Sequence, residues 1–118
     1  KLVNLCADTG HLFFAGVDPV KFFEKNMNRI RHIHFKDLRP DVFYDMNFEQ
    51  VSFLKAVLSG VFTVPGDGCI DFEAISRSIN MSKYNGWIIV EAEQDPSKAN
   101  PFEYAMRSRK HLNKIWSN

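Results

Sequence analysis

The sequence predicts an α/β fold organised around a parallel sheet. Four short apolar segments have the composition of buried strands, and each is followed by a polar stretch and then by a segment with apolar residues at spacings of three and four. The predicted strands end at intervals of roughly 26 to 30 residues, which is typical of successive βαβ units. Because such units connect parallel strands, we expect all four predicted strands to join one parallel sheet.

The predicted strands cover residues 2–7, 30–35, 61–64 and 87–90. The first helix is predicted to begin with Asp18 as its cap and Pro19 at its first position. A second helix is predicted from the capping box Asn47 and Gln50 to an end at Gly60, and a third from the cap Asp71 to an end near Asn80. The last helix is predicted to begin at Asn100 and Pro101. Its apolar side consists of Phe102, Ala105, Leu112 and Trp116. Residues 8–11, 36–40 and 65–68 are predicted as polar turns or loops.

The composition excludes several classes of partner. With 15 basic and 14 acidic side chains the formal net charge is +1, so we expect neither nucleic acid nor a membrane surface as a partner. No apolar run approaches the roughly 18 residues of a membrane span, and the start lacks a signal-peptide pattern. Cys6 and Cys69 are too few for a disulfide framework and are interpreted as buried thiols of a cytoplasmic protein. The first residue is Lys1, so we expect further protein upstream.

Strand parity predicts that three potential metal ligands lie close together. Side chains alternate along a strand, and active-site residues gather at the carboxyl ends of parallel strands. Asp8, His34 and Glu91 lie at three such ends with inward parity. Two carboxylates and one imidazole suit Mn²⁺, Co²⁺, iron or Zn²⁺. The alternative is structural: Asp8 begins a turn, His34 is a hydrogen-bonded interior residue, and Glu91 pairs with a basic side chain.

Several motifs resemble those of a known family. Residues 8–11 (DTGH), 32–37 (HIHFKD) and 90–91 (VE) are similar to the metal motifs of the xylose-isomerase-like TIM barrels, which include sugar isomerases, epimerases and endonuclease IV. Within that superfamily, residues 62–68, 86–87, 91–96 and 100–105 resemble inosose dehydratases. The turn at residues 83–86 departs from the Gly-Tyr-x-Gly usual there, which affects only the expected loop geometry. The resemblance spans nearly the whole chain.

The resemblance implies that residues 1–118 are the C-terminal half of a (β/α)8 TIM barrel, with about four βα units formed by strands 5 to 8 and the following helices. It implies that Asp8, His34 and Glu91 ligate a divalent metal, with Mn²⁺ or Co²⁺ expected, and that His11 stands beside the metal and contacts substrate. A further glutamate ligand would come from the fourth barrel strand, upstream of Lys1. Because a full barrel needs roughly 250 residues, we expect the barrel and the site to be incomplete.

Other residues near the predicted strand ends are candidates for the same site. Lys36 and Arg39 could donate hydrogen bonds to substrate hydroxyls or to a developing enolate, although exposed loop cations are an equal alternative. Glu93 could act as a catalytic acid or base if the strand parity continues that far. His32 is interpreted as an interior histidine with satisfied hydrogen bonds, and Trp87 as a core residue.

The resemblance also implies an activity. A hydro-lyase of this kind would dehydrate 2-keto-myo-inositol, a small polyol ketone, to a cyclohexane dione in inositol catabolism, by metal-assisted proton abstraction and loss of a hydroxyl. A ketose epimerase or isomerase is the main alternative, since it needs the same enediolate chemistry with return of the proton. An enzyme like endonuclease IV would need more metal-binding histidines and a basic groove. An inactive half-barrel fragment with open sheet edges is a third alternative, and a homo-oligomer is compatible with the sequence.

Overall fold

The computed structural model describes residues 3–47 and 49–117. The described residues form five strands and six helices. The strands are β1 (Leu5–Asp8), β2 (Ile30–Phe35), β3 (Asp37–Leu38), β4 (Phe62–Thr63) and β5 (Ile88–Val90). The helices are α1 (Thr9–Phe14), α2 (Pro19–Asn26), α3 (Pro40–Tyr44), α4 (Phe53–Leu58), α5 (Phe72–Met81) and α6 (Pro101–Trp116). The predicted alternation of strands and helices is therefore confirmed, with two additional short helices and one additional short strand.

The main sheet is parallel and has the strand order β1-β2-β5. In its register Asp8 lies opposite His34, and His34 lies opposite Ile89. The amide of Glu91 continues the pairing just past β5 by donating to the carbonyl of Phe35 at 3.1 Å. The carboxyl ends of all three strands therefore meet at one edge of the sheet.

The third predicted strand, residues 61–64, does not join this sheet. Its central pair forms β4, which pairs antiparallel with β3, so that Asp37 lies opposite Thr63. The carboxylate of Asp37 accepts backbone N–H groups of Gly66, Gly68 and Ile70, all at 3.0 Å. These bonds hold the turn after β4 against β3, and the expectation of one parallel sheet of four strands was wrong for this segment.

Three of the four predicted helix starts are confirmed by their caps. The side chain of Asp18 accepts a hydrogen bond from the amide of Val20 at 2.9 Å. In the same way, Asp71 accepts one from the amide of Ala74 at 2.8 Å, and Asn100 accepts one from the amide of Phe102 at 3.0 Å. Each bond satisfies an N–H group that has no partner within the first helical turn.

The predicted start at Asn47 was wrong. The side chain of Asn47 accepts the amide of Glu49 at 3.1 Å, and its carbonyl accepts the amides of Gln50 and Val51, so the residue forms a turn instead of a helix cap. Helix α4 begins six residues later, where the hydroxyl of Ser52 accepts the amide of Lys55 at 3.2 Å. Phe48, Lys1 and Leu2, which also carried predictions, lie outside the described residues.

The core forms between β2 and the helices on one side of the main sheet. Alternate β2 residues are fully buried, among them Ile33 and Phe35, and they pack with Phe23 of α2 and Ile75 of α5. The opposite face of the sheet carries the polar residues of the site, and this face is open in the described chain. No helix among the described residues is long and apolar enough to cross a membrane.

Several burial predictions were wrong. Cys6 and Cys69 are exposed instead of buried. Trp87 is 76% exposed and Phe102 is 74% exposed, so neither belongs to the core of the described chain. Trp116 on α6 is partly exposed but stacks on the core ring of Phe35, with 6.0 Å between ring centroids.

Candidate functional site

Three predicted ligands converge at the carboxyl ends of the parallel strands. Asp8 ends β1, His34 lies in β2 directly opposite it, and Glu91 follows β5. His34 Nδ1 lies 2.9 Å from Glu91 Oε2 and 3.6 Å from Asp8 Oδ2. Each of the three residues offers one ligand atom, and these atoms lie within 4.8 Å of one another. Strand parity therefore predicted the correct spatial grouping of these three side chains.

The buried ammonium of Lys36 lies among the carboxylates of this group. Lys36 Nζ is 3.3 Å from Asp8 Oδ2 and 3.5 Å from Glu91 Oε2, and it donates a short hydrogen bond to Glu93 Oε2. The side chain is fully buried, which excludes the predicted alternative of an exposed loop cation. A buried ammonium is tolerated here because acidic groups surround it.

His11 and Glu93 form the second part of the cluster. His11 Nε2 lies 3.1 Å from Glu93 Oε2 and 2.9 Å from Lys36 Nζ. Glu93 has a backbone φ of 45°, in the left-handed region that non-glycine residues seldom adopt. This turn of the backbone directs the Glu93 side chain to the cluster after the regular strand alternation has ended. Local backbone strain of this kind is concentrated at functional sites.

Two neighbouring residues of α1 fix the position of Lys36. The buried hydroxyl of Thr9 donates to the carbonyl of Lys36 at 2.7 Å and accepts its amide at 2.9 Å. Gly10 packs directly on the lysine stem, so that a Cβ at residue 10 would lie 2.7 Å from Lys36 Cγ. Lys36 Nζ also lies 5.2 Å from the centre of the Phe62 ring, a cation–π contact. Neither Thr9 nor Gly10 was predicted as a functional residue, although both belong to the DTGH motif.

The charges of the cluster favour an ionised Glu91. Burial disfavours its charged form, but the neighbouring Lys36 and His34 outweigh that effect, so the pKa of Glu91 is lowered from its ordinary value. Asp8 Oδ2 is a buried oxygen that accepts no hydrogen bond among the described residues, although Lys36 lies within ion-pair distance. A buried carboxylate oxygen without a hydrogen-bond donor, next to a second carboxylate and an imidazole, is a suitable ligand for a divalent cation.

Arg39, the other predicted substrate-binding residue, belongs to a separate network. Its guanidinium donates to the Gly60 carbonyl and to Asp67 Oδ2, both at 2.7 Å, and to the Thr63 hydroxyl at 3.0 Å. Asp67 also pairs with Arg107. Burial disfavours ionised Asp67, but Thr63 and the two arginines outweigh it and lower its pKa. These contacts fix the turn after β4, and a contact of Arg39 with substrate remains a prediction.

The two networks meet near a cleft beside the end of β5. The cleft has a volume of about 400 Å³ and is lined by Glu91, Glu93, Gln94 and Tyr104, among others. Gln94 Nε2 donates to the Thr63 hydroxyl at 3.3 Å, and Arg39 reaches the Tyr104 hydroxyl at 3.3 Å. The volume falls within the usual range of small-molecule sites.

Asp37 is the main residue of this region that was not predicted from the sequence. Its side chain is buried and accepts four backbone N–H groups, those of Leu38, Gly66, Gly68 and Ile70. Burial is the largest influence and raises the pKa of the carboxyl despite these four bonds. Its position at the end of the motif of residues 32–37, two residues past a buried strand, and the glycine-rich turn at residues 65–68 are signals that could have indicated this role.

Comparison with known proteins identifies the family. Residues 1–115 match the family described as xylose isomerase-like TIM barrel. Curated relatives named inosose dehydratase, from Clostridium beijerinckii and Geobacillus thermodenitrificans, are 54% and 52% identical over 112 residues. Each alignment covers 95% of this chain and 38% of the relative, so the chain spans well under half the length of these proteins.

A solved structure supports the fold at lower sequence identity. The xylose isomerase domain protein from Alicyclobacillus acidocaldarius superimposes with a TM-score of 0.65 at 21% identity, over 98% of this chain and 37% of that one. The family match covers nearly all of the chain, and it agrees with the motifs at residues 8–11 and 32–37. The chain therefore belongs to the xylose isomerase-like TIM barrel family.

Proposed function

We propose that this chain is the C-terminal part of a metal-dependent hydro-lyase that dehydrates inosose to a cyclohexane dione in inositol catabolism. The observation that carries the proposal is the grouping of Asp8, His34 and Glu91 beside Lys36, His11 and Glu93. The identity of about half of all residues to proteins named inosose dehydratase supports the substrate.

The proposal includes the architecture of the full protein. Residues 1–118 would supply the C-terminal half of an eight-stranded barrel, with β1, β2 and β5 as its parallel strands, and a glutamate from the fourth barrel strand would complete the metal site. Coverage of 38% of each curated relative is consistent with a partial barrel. Exposed free thiols at Cys6 and Cys69 are consistent with a reducing, cytoplasmic location.

The residues that would hold the metal are Asp8, His34 and Glu91, and Mn²⁺ or Co²⁺ is the proposed ion. A bound divalent ion supplies Lewis-acid polarisation of the ketone oxygen. Lys36 carries a buried positive charge in the same group and stabilises negative charge that develops on the substrate oxygen. Its three carboxylate contacts keep the ammonium in place before substrate arrives.

His11 and Glu93 are the proposed acid and base. They lie 3.1 Å apart and share the Lys36 ammonium, so a proton can pass between them without movement of the backbone. The Glu93 carboxylate takes the proton from the carbon next to the ketone, and His11 donates a proton to the departing hydroxyl. One water molecule leaves, and the reaction involves no net oxidation or reduction.

The test is an assay of the chain extended upstream to a full barrel, with Mn²⁺ or Co²⁺ and inosose. Loss of inosose with formation of the dione is expected, and Glu93→Gln should lower kcat at least about 100-fold. Glu24→Gln is the matched control, because Glu24 is an exposed carboxylate on α2. A substrate that is isomerised without loss of water would favour the epimerase or isomerase alternative, and no turnover with either ion would refute the proposed function.

A further inference from the structure

A second group of potential metal ligands lies directly beneath the carboxylate group. Cys6, His32 and His34 each offer a ligand atom, and these atoms lie within 4.8 Å of one another. Cys6 and His32 are opposite each other in the parallel register, two pairs before Asp8 and His34. Because side chains two residues apart share one face of a strand, both pairs project from the open face of the sheet.

The chemistry of this group differs from that of the carboxylate group. It contains one thiol and two imidazoles, whereas the other group contains two carboxylates and one imidazole. Thiolate and imidazole are the ligands that Zn²⁺ prefers, and carboxylate-rich sites suit harder ions such as Mn²⁺. The two groups therefore favour different ions.

The Cys6 and His32 ligand atoms have no hydrogen-bond partner among the described residues, whereas His34 Nδ1 lies against Glu91 Oε2. Cys6 is also exposed. The His32 and His34 rings meet edge to face with 5.1 Å between centroids. The interpretation of His32 as an interior histidine with satisfied hydrogen bonds was therefore wrong for the described chain.

We infer that Cys6, His32 and His34 form a second metal site that selects Zn²⁺ and competes, through His34, with an ion at Asp8 and Glu91. The Cys6 thiol loses its proton to solvent when it binds the ion, and each imidazole binds as a neutral ring. Three protein ligands leave a fourth position for water. This inference concerns metal binding alone and stands independently of the proposed dehydration.

The experiment is a titration of the 118-residue chain with Co²⁺ under reducing conditions, followed by Zn²⁺. A thiolate-to-cobalt charge-transfer band should form, and one equivalent of Zn²⁺ should remove it. Cys6→Ser should abolish the band and weaken Zn²⁺ binding at least about tenfold, because it removes a direct ligand. Cys69→Ser is the matched control and should leave the band unchanged, since Cys69 lies outside the group.

Two further variants separate this site from the carboxylate group. Asp8→Asn should keep the cobalt–thiolate band while it weakens Mn²⁺ binding, whereas His34→Ala should weaken the binding of both ions. The inference is overturned if no band forms, if the band survives Cys6→Ser, or if Asp8→Asn abolishes it. Loss of dehydration with these metal-binding results intact would count against the proposed function only.

Protection from alkylation tests the site without a substitution. In the unmodified chain, one equivalent of Zn²⁺ should slow the alkylation of Cys6 at least about tenfold and leave the alkylation of Cys69 unchanged, as read by mass spectrometry of the modified peptides. Equal protection of both thiols, or of neither, would overturn the inference. This readout holds even if a substitution at Cys6 prevents folding.

Discussion

Replacement of Asp37 by asparagine tests the account of how the turn after β4 is held. Asp37 Oδ1 accepts the amides of Leu38 and Ile70, and Oδ2 accepts those of Gly66 and Gly68, at 2.8 to 3.0 Å. An asparagine keeps one of the two oxygens, so two of the four amides would face an NH₂ group instead of an acceptor.

The expected cost follows from these contacts. Each buried N–H group that loses its acceptor costs about 1–3 kcal/mol, so Asp37→Asn should lower the free energy of unfolding by about 2–6 kcal/mol. That is a large fraction of the roughly 5–15 kcal/mol of a typical domain. Hydrogen exchange should also accelerate at the amides that lose their acceptor, which gives a local readout beside the global one.

Urea unfolding followed by circular dichroism measures the global effect. Asp45→Asn is the matched control, since Asp45 is exposed at the end of α3, and its substitution should change stability by less than about 0.5 kcal/mol. If Asp37→Asn stays within about 0.5 kcal/mol of the unmodified chain, with unchanged exchange at the four amides, the role assigned to the carboxylate is refuted.

Two further predictions concern a turn and the Asp67 network. Lys83 has a φ of 55°, which glycine adopts more easily than lysine, so Lys83→Gly should raise the free energy of unfolding by about 1 kcal/mol. The matched Lys110→Gly inside α6 should lower it by about 1 kcal/mol. A loss of stability in Lys83→Gly would contradict the left-handed geometry. The lowered pKa of Asp67 means that its ionised form stabilises the folded chain fully above the ordinary value of 3.8 and loses this effect as the pH falls through the folded pKa. The stability gap between the unmodified chain and Asp67→Asn, from urea unfolding at several pH values, should therefore be constant near neutral pH and shrink below 3.8; a gap independent of pH would count against this assignment.

The sequence by itself was sufficient for features that depend on local patterns. The caps at Asp18, Asp71 and Asn100 were predictable because a side chain one or two residues from a helix start decides whether the first amides are satisfied. The grouping of Asp8, His34 and Glu91 was also predictable, because strand alternation and a parallel register fix which side chains share an edge.

Other features depended on contacts between residues distant in sequence. The sequence of residues 61–64 does not show which strand they pair with. In the structure β4 pairs with β3, and the amides of Gly66, Gly68 and Ile70 donate to the Asp37 carboxylate and hold the following turn in place. Asn47 and Ser52 both have the chemistry of a helix cap, and the structure places the cap at Ser52 and a turn at Asn47.

The site shows the same division between local pattern and tertiary contact. Residue types and spacing determined that Lys36 and Glu93 are candidates, because both follow predicted strand ends. The tertiary structure decided that Lys36 is buried between carboxylates. This burial depends on the packing of the lysine stem against Gly10, a residue distant in sequence. It also decided that Glu93 reaches the same group through a left-handed backbone turn, a geometry that strand alternation cannot predict because the alternation ends with the strand.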